Sequence, residues 1–270
     1  MNKVVLITGA GSGIGKAVAE QLHGEGYVVI GTSRKPIDNR PYEVLPLDLN
    51  DAESIDGLVN RVLKSHNRID VLINNAGYDL YGSFEGTSDK EIQDQLRVNF
   101  LGAVRMTKAV LPLLRMQATS YVINISSIGG LLALPMNSAY SASKFALEGF
   151  FESARYELAR LGIRVVSVLP QSVRTESLGT SISSISMEIH EYKPALDQMV
   201  DLMRQEGARS KITPERVAAK ISRILKTKKP KYRYTVGPLV SFMRIWKGLF
   251  PQIAFERMIA EKFLLIGGGK

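Results

Sequence analysis

Short apolar runs rich in β-branched residues alternate along most of this sequence with longer segments that have helical spacing. The six strand-like runs are Lys3–Thr8, Tyr27–Ser33, Tyr42–Leu47, Asp70–Asn74, Tyr121–Ser126 and Ile163–Leu169. The main helical segments are Ile14–Leu22, Ala52–Lys64, Ile92–Met116 and Ala139–Leu161. Nearly continuous apolar runs are typical of parallel strands that are covered on both faces. The pattern predicts an α/β fold with a doubly wound parallel sheet and helices on both faces.

The 270 residues show no linker that would divide the chain, so we expect one main domain over residues 1–238. The segment 176–210 mixes apolar and polar residues, and we expect it either to cover a partly apolar pocket or to pack as a helical pair on the sheet. An amphipathic C-terminal extension over residues 239–270 has helical apolar spacing interrupted by Arg244 and Lys247. It could cover the pocket, pack in a subunit interface or lie on an anionic membrane surface.

Composition removes several classes of function. The chain has no cysteine and three widely separated histidines, so thiolate metal sites are excluded and we expect no metal. The net charge of +9 is spread along the chain without a nucleic-acid-binding motif, and we expect no nucleic acid partner. No apolar stretch is long enough for a transmembrane helix, and the N-terminal stretch is too short for a signal peptide. We therefore expect a cytoplasmic protein.

A glycine-rich loop, "TGAGSGIG" over Thr8–Gly15, lies between the first strand and the first helix. Glycines allow the backbone to approach a pyrophosphate, which the unpaired N–H groups of a helix N-terminus bind. The strict G-x-G-x-x-G spacing fails at Ile14, and the spacing present is that of Gly9, Gly13 and Gly15. The loop favours a dinucleotide site, with an ordinary strand-to-helix turn as the alternative.

The end of the second strand bears on which dinucleotide would bind. A site for NAD usually carries an acid here, which binds the ribose 2′-hydroxyl. This chain instead has "SRK", from Ser33 through Arg34 to Lys35. A guanidinium can hold a 2′-phosphate through two hydrogen bonds, so the stretch favours NADP(H) over NAD(H). The alternative is a solvated basic turn.

Tyr140 and Lys144 stand four residues apart in "YSASK", and on a helix they share one face. The residues between them are small and leave room for a cofactor. A neighbouring ammonium favours the phenolate, so we predict that Lys144 lowers the pKa of Tyr140 and makes it a general acid/base. The alternative is a core tyrosine beside a lysine whose stem lies along the helix.

These motifs, together with "NNAG" at Asn74–Gly77, Asn99 in "VNFLG" and Ser127, resemble the short-chain dehydrogenase/reductase family in order and spacing over roughly residues 1–176. The resemblance implies an NAD(P)-binding Rossmann domain and an oxidoreductase that interconverts a carbonyl and an alcohol by direct hydride transfer. It implies that Tyr140 is the acid/base and that Lys144 binds the nicotinamide ribose. Ser127 would hydrogen-bond the substrate oxygen, and Asn99 would hold a water in the proton relay.

The resemblance also extends the cofactor site. It implies that Asp48 and Leu49 lie near the adenine and that "NNAG" lines the cofactor site. Val173 and Thr175 would hold the carboxamide group of the nicotinamide. The predicted cofactor residues are Gly9, Ser12, Gly13, Ile14, Gly15, Ser33, Arg34, Asp48, Leu49, Asn75, Ala76, Gly77, Tyr140, Lys144, Val173 and Thr175. Without the resemblance, Asp48 could be a strand-end acid, "NNAG" a tight turn and Asn99 a helix-interior residue bonded to backbone. One departure is Gln171, where the family usually has a glycine after proline.

The run of motifs looks most similar to steroid- and retinol-dehydrogenase-like members, which implies a lipophilic substrate and a homodimer or homotetramer. Two alternatives belong to other classes of function. One is a catalytically inactive NADPH-sensing or scaffold protein on the same fold, against which the intact Ser127, Tyr140 and Lys144 argue. The other is a peripheral membrane or nucleic-acid binder that uses the positive charge.

Overall fold

The architecture is taken from a computed structural model that describes residues 2–174, 181–238 and 240–241. The strands are β1 (Val4–Ile7), β2 (Val28–Ser33), β3 (Glu43–Pro46), β4 (Val71–Asn74), β5 (Leu80–Tyr81), β6 (Ser120–Ile125), β7 (Ile163–Pro170), β8 (Ser181–Ile182) and β9 (Arg233–Val236). The helices are α1 (Gly13–Gly24), α2 (Ala52–His66), α3 (Asp89–Leu96), α4 (Ala103–Arg115), α5 (Ser138–Ala159), α6 (Ser184–Glu188), α7 (Lys193–Arg209) and α8 (Pro214–Leu225).

The predicted doubly wound parallel sheet is confirmed. Seven strands pair in parallel in the order β3-β2-β1-β4-β6-β7-β9, and all six predicted strands lie in this sheet. The seventh strand, β9, forms the far edge of the sheet beside β7. The direction of winding reverses between β1 and β4, and in such sheets ligands bind beyond the carboxyl ends of the strands near this point.

Alternate residues of each strand point to opposite faces, and the chain buries apolar residues on both. Val4 and Leu6 of β1 pack in one core cluster, which contains buried side chains of α2, α4 and α5. Val5 and Ile7 pack in the other, with buried side chains of α1 and α8. This two-sided burial explains why the strands read as continuous apolar runs in the sequence.

The predicted helix over Ile92–Met116 is wrong as a single helix. α3 begins after Ser88, whose hydroxyl and the Glu91 carboxylate form a reciprocal capping box. α3 and α4 are then joined by a π-helical segment, Arg97–Gly102, which contains Asn99. The apolar pattern continues across this segment, so periodicity did not reveal the change in winding. Such π segments occur frequently at functional sites.

β5 and β8 pair in parallel and form a second, two-stranded sheet next to the carboxyl edge of the main sheet. Behind it, α7 contributes Leu196, Met199 and Val200 to an apolar cluster around Tyr81. The described part of the predicted cover, residues 181–210, therefore packs beside the sheet edge as a helical layer. The C-terminal extension lies outside the described residues except for 240–241. Within the residues described, no helix is both long and apolar enough to cross a bilayer.

Candidate active site

A cavity of about 550 Å³ runs along the carboxyl edge of the main sheet. Because the strands are parallel, the loops that follow β1, β2, β4, β6 and β7 all open onto this edge. Most of the predicted site residues line the cavity: Gly9, Ser12, Gly13, Ile14, Ser33, Arg34, Asp48, Leu49, Asn75, Ala76, Gly77, Ser127, Tyr140, Lys144 and Val173. Gly15 and Asn99 do not line the cavity themselves but pack against residues that do. Thr175 lies outside the described residues.

The glycine loop packs closely against the start of α1. Gly9 has a φ of +71°, a conformation that strains other residues. A Cβ atom on Gly15 would lie 2.2 Å from the carbonyl oxygen of Gly9, so only glycine allows the loop to close against α1. The first turn of α1 contains no acidic residue, and its N–H groups can receive a phosphate without a competing carboxylate. These features fit a dinucleotide.

The "NNAG" segment is tied to the glycine loop by hydrogen bonds. The side-chain amide of Asn75 donates to the carbonyl oxygens of Thr8 and Gly9, both at 3.0 Å. The Thr8 hydroxyl accepts from the main-chain N–H groups of Asn75 and Ala76, at 3.0 and 3.1 Å. The segment therefore holds the carboxyl ends of β1 and β4 together, and this structural function goes beyond that of a tight turn.

The corner beyond β2 contains the basic residues that were predicted to select the phosphate. Ser33 and Arg34 line the cavity, and Arg34 is exposed. Sequence reasoning missed Arg40, which donates a hydrogen bond to the carbonyl of Gly11 at 3.2 Å and lies 3.6 Å from Glu20. Arg40 thus supports the glycine loop from outside. Its position in a coil after a run of polar residues gave no pattern from which to find it.

Asp48 and Leu49 follow β3 at the same corner. The Asp48 carboxylate accepts a hydrogen bond from the N–H of Asn50 at 2.9 Å, and its main-chain N–H donates to Ser54. Asp48 therefore shapes the turn that leads into α2, while Leu49 is buried. Both residues line the cavity, so a structural function and a cofactor contact are compatible here.

Ser127, Tyr140 and Lys144 converge at the end of β6. The ammonium of Lys144 donates to the carbonyl of Ile125 at 3.0 Å and lies 5.7 Å from the centre of the Tyr140 ring. The Tyr140 hydroxyl is within hydrogen-bonding reach of Ser127. The Ser127 hydroxyl also accepts from the N–H of Gly129 at 3.1 Å, which fixes its orientation. A carbonyl oxygen placed here would meet two hydroxyl donors.

The predicted low pKa of Tyr140 is wrong for this structure. Burial raises the pKa of Tyr140 well above 10, and the charge of Asp79 raises it further. Burial also lowers the pKa of the Lys144 ammonium to about 8, against the opposing influence of Asp79 and Glu148. The sequence showed that Lys144 lies one helical turn from Tyr140. It showed neither that Tyr140 is buried nor that Asp79, which is far away in sequence, lies beside it in the fold. Tyr140 is therefore a neutral phenol at neutral pH.

Sequence reasoning also missed Asp79. It follows the "NNAG" segment and lines the cavity, where its carboxyl group is within hydrogen-bonding reach of the Tyr140 hydroxyl. Burial raises the pKa of this carboxyl, and the charge of Lys144 partly offsets that effect. A single acid in a loop has no periodicity or spacing, so only its charge next to the motif could have indicated it.

Asn99 holds the backbone next to Asp79. Its side-chain oxygen accepts from the N–H of Tyr78 at 3.1 Å, and its amide donates to the Tyr78 carbonyl at 2.9 Å. The same amide donates to the Ser143 hydroxyl at 3.2 Å. The π-helical segment thus directs a buried amide toward both the loop and α5. The hydrogen bonds to backbone fit the structural alternative considered for Asn99, and its placement in a water relay stays a prediction.

The family departure at Gln171 is accommodated without strain. The non-glycine residues with positive φ in the described chain are Asn39, Asn67 and Met136, and Gln171 is not one of them. Its N–H donates to the carbonyl of Val236 at 2.9 Å, which extends the pairing of β7 with β9. β7 ends at Pro170, so Gln171 makes one more main-chain hydrogen bond to β9 just beyond the strand, and Val173 lines the cavity.

Comparison with known proteins agrees with this geometry. A model of the family described as short chain dehydrogenase matches residues 3–184. A 3-ketodihydrosphingosine reductase from Bacteroides thetaiotaomicron is 37% identical over 243 residues, which cover 89% of this chain and 90% of the relative. An NADPH-dependent 3-dehydrocapnine reductase from Ornithobacterium rhinotracheale is 32% identical and covers 97% of this chain and 96% of its own.

Solved structures give the same result. The crystal structure of a short-chain dehydrogenase from Streptomyces avermitilis superposes with a TM-score of 0.83 at 35% identity and covers 97% of each chain. Other solved chains with this fold contain NADP or NAD.

Proposed function

Because this chain belongs to the short-chain dehydrogenase/reductase family, whose members are NAD(P)-dependent oxidoreductases, we propose that it uses NADP(H) to reduce a ketone on a lipophilic small molecule. The observation that carries the proposal is the convergence of Ser127, Tyr140 and Lys144 in the cavity that also contains the glycine loop. A dinucleotide bound along that cavity would extend from the N-terminus of α1 to the catalytic side chains.

The cavity residues have distinct functions in this proposal. The glycine loop and the first turn of α1 bind the pyrophosphate. Lys144 binds the nicotinamide ribose, while the hydroxyls of Ser127 and Tyr140 hold the substrate oxygen. When bound, the reduced nicotinamide supplies a hydride to the carbonyl carbon. Tyr140 gives its proton to the oxygen, and the product is a secondary alcohol.

Tyr140 holds the proton that reduction of a carbonyl requires. A phenol whose pKa is raised well above 10 keeps its proton at neutral pH and serves as a donor. The ammonium of Lys144 limits the cost of the phenolate that remains after each proton transfer.

Preference for NADP(H) is supported by the basic corner beyond β2. Arg34 is exposed and lines the cavity, and Ser33 adds a hydroxyl. No acidic side chain is present between Gly31 and Lys35 to bind a 2′-hydroxyl. The name of the Ornithobacterium relative also states dependence on NADPH.

A lipophilic substrate is supported by the apolar layer over the cavity. Leu134, Tyr81 and Met203 line the cavity and pack in the cluster built around α7. The names of the two curated relatives point to 3-keto and 3-dehydro compounds. We therefore propose a ketone with an alkyl chain as the substrate class, in place of the more specific steroid or retinol.

A panel of ketones of increasing chain length, assayed by NADPH absorbance, tests the proposal. Each buried methylene contributes about 0.8 kcal/mol, so kcat/KM should rise about 3- to 4-fold per carbon until the cavity is full. Tyr140→Phe should lower turnover by about 100-fold or more while NADPH binding, measured by calorimetry, is retained. Retained turnover in Tyr140→Phe, or no consumption of NADPH with any ketone, would refute the assignment.

A further inference from the structure

Asp79 has no function in the proposed reduction, yet it is positioned as firmly as the catalytic residues. The carbonyl of the preceding residue, Tyr78, accepts hydrogen bonds from the amides of Gln95 and Asn99, both at 2.9 Å. The carbonyl of the following residue, Leu80, accepts from the amide of Asn137 at 2.9 Å. Three buried amide side chains therefore fix the backbone on both sides of Asp79. Such support is what holds a functional side chain in one place.

The carboxyl group of Asp79 faces the substrate end of the cavity. It is within hydrogen-bonding reach of the Tyr140 hydroxyl, and the next residues on the chain, Leu80 and Tyr81, form β5 beneath the apolar layer. Among the described residues, no cation lies within 4 Å of this carboxylate. The positive charge of Lys144 lowers the pKa of the Asp79 carboxyl, but the lysine ammonium donates its hydrogen bond to the carbonyl of Ile125.

A carboxylate in this position conflicts with the reduction of a neutral ketone. It competes for the Tyr140 hydroxyl, which the substrate oxygen needs as a donor. It also adds negative charge next to an oxygen that becomes negative during hydride transfer. A positive charge on the substrate would resolve both effects, because it would pair with Asp79 and release the Tyr140 hydroxyl.

We propose that Asp79 is a specificity-determining residue that binds a protonated amine on the carbon beside the substrate carbonyl, so that the enzyme acts on long-chain α-amino ketones. The inference rests on the proposed function and adds a second polar anchor to it. The substrate oxygen binds Ser127 and Tyr140, the ammonium binds Asp79, and the alkyl chain lies along the layer that contains Leu134 and Met203. The reaction itself is unchanged.

The test compares kcat/KM for 2-amino-3-octadecanone with kcat/KM for 2-methyl-3-octadecanone, in which a methyl group replaces the ammonium. Assays are run at slightly acidic pH, where the amine is protonated. The wild-type enzyme should prefer the amino ketone by about 10- to 100-fold, the contribution of a hydrogen bond between charged groups. Asp79→Asn should reduce this ratio to near one, because the amide keeps the shape and removes the charge. Asp56→Asn, an exposed acid on α2, serves as the matched control and should leave the ratio unchanged.

The possible outcomes separate this inference from the proposed function. Equal rates for the two ketones in the wild-type enzyme would overturn the inference and leave the reductase assignment intact. A parallel loss of both activities in Asp79→Asn, with the ratio preserved, would mean that Asp79 only positions Tyr140, and the inference would be wrong. Failure of the wild-type enzyme to reduce either ketone would count against the proposed substrate class itself. Calorimetric binding of NADPH to Asp79→Asn confirms that the variant is folded.

Discussion

The ammonium of Lys144 donates a hydrogen bond to the main-chain carbonyl of Ile125, 3.0 Å away. This bond connects α5 to the last residue of β6 and brings the lysine, which is only 6% exposed, beneath the Tyr140 ring. Burial of the ammonium lowers its pKa from 10.5 to about 8. The charge at the centre of the site is therefore maintained at a cost in stability.

This cost predicts how stability depends on pH. The folded protein releases the Lys144 proton near pH 8, while the unfolded chain keeps it until about pH 10.5. Between these values the unfolded state binds more protons, so the penalty from Lys144 is complete below pH 8 and disappears as the pH rises. Lys144→Met should therefore gain stability relative to wild type at pH 7, and this difference should shrink by up to about 3 kcal/mol toward pH 10.5.

Urea unfolding of both proteins across this pH range measures the difference directly. Comparison with Lys144→Met cancels the contributions of tyrosines and other lysines that titrate in the same range. A difference between the two proteins that is constant with pH would show that Lys144 is not desolvated as the structure indicates.

A second prediction concerns Asn99. Asn99→Asp keeps the size of the side chain but replaces a donor to the Tyr78 carbonyl and the Ser143 hydroxyl with a carboxylate oxygen. Two acceptors would then face each other in a buried place, and the free energy of unfolding should fall by about 1–3 kcal/mol. Because the Tyr78 backbone leads directly into Asp79, kcat should fall as well.

Asn60→Asp, at an exposed position on α2, is the matched control for the added charge and should leave both quantities unchanged. Chemical denaturation and steady-state kinetics provide the two readings. Wild-type stability in Asn99→Asp would contradict the function assigned here to the π-helical segment.

The sequence predicted the sheet well because parallel strands buried on both faces produce continuous apolar runs, as at Val71–Asn74. The glycine loop and the Tyr140–Lys144 pair could also be recognised in the sequence, since each is defined by a short spacing between neighbouring residues. The π-helical segment at Arg97–Gly102 was not, because its apolar residues continue the helical pattern on either side. The high pKa of Tyr140 was missed for a different reason. It depends on burial and on Asp79, which only the folded chain brings beside the tyrosine.

A third prediction separates two arginines at the basic corner. Arg34→Ala removes the guanidinium proposed to hold the 2′-phosphate, so Kd for NADPH should rise by about 10- to 100-fold while Kd for NADH stays nearly constant. Arg40 instead bonds the Gly11 carbonyl within the loop that either cofactor would use. Arg40→Ala should therefore weaken the binding of NADPH and the binding of NADH to a similar extent.

Calorimetric titration with each dinucleotide provides the four constants. Arg61→Ala, which removes an exposed arginine paired with Glu43, controls for the loss of positive charge. If Arg34→Ala weakened the binding of both cofactors equally, the basic corner would not recognise the 2′-phosphate, and the NADP(H) proposal would fail.

The last prediction uses two glycines at opposite ends of α1. Gly15→Ala would place a methyl group 2.2 Å from the Gly9 carbonyl oxygen, so the glycine loop must move away from the helix. Dinucleotide binding should be lost, and the free energy of unfolding should fall by about 1–3 kcal/mol or more. Gly24→Ala meets no atom within 4 Å and should be neutral or stabilising by up to about 1 kcal/mol, with normal binding. Calorimetry and urea unfolding of the two variants test this contrast, and undiminished NADPH binding by Gly15→Ala would show that the loop does not hold the cofactor in the proposed way.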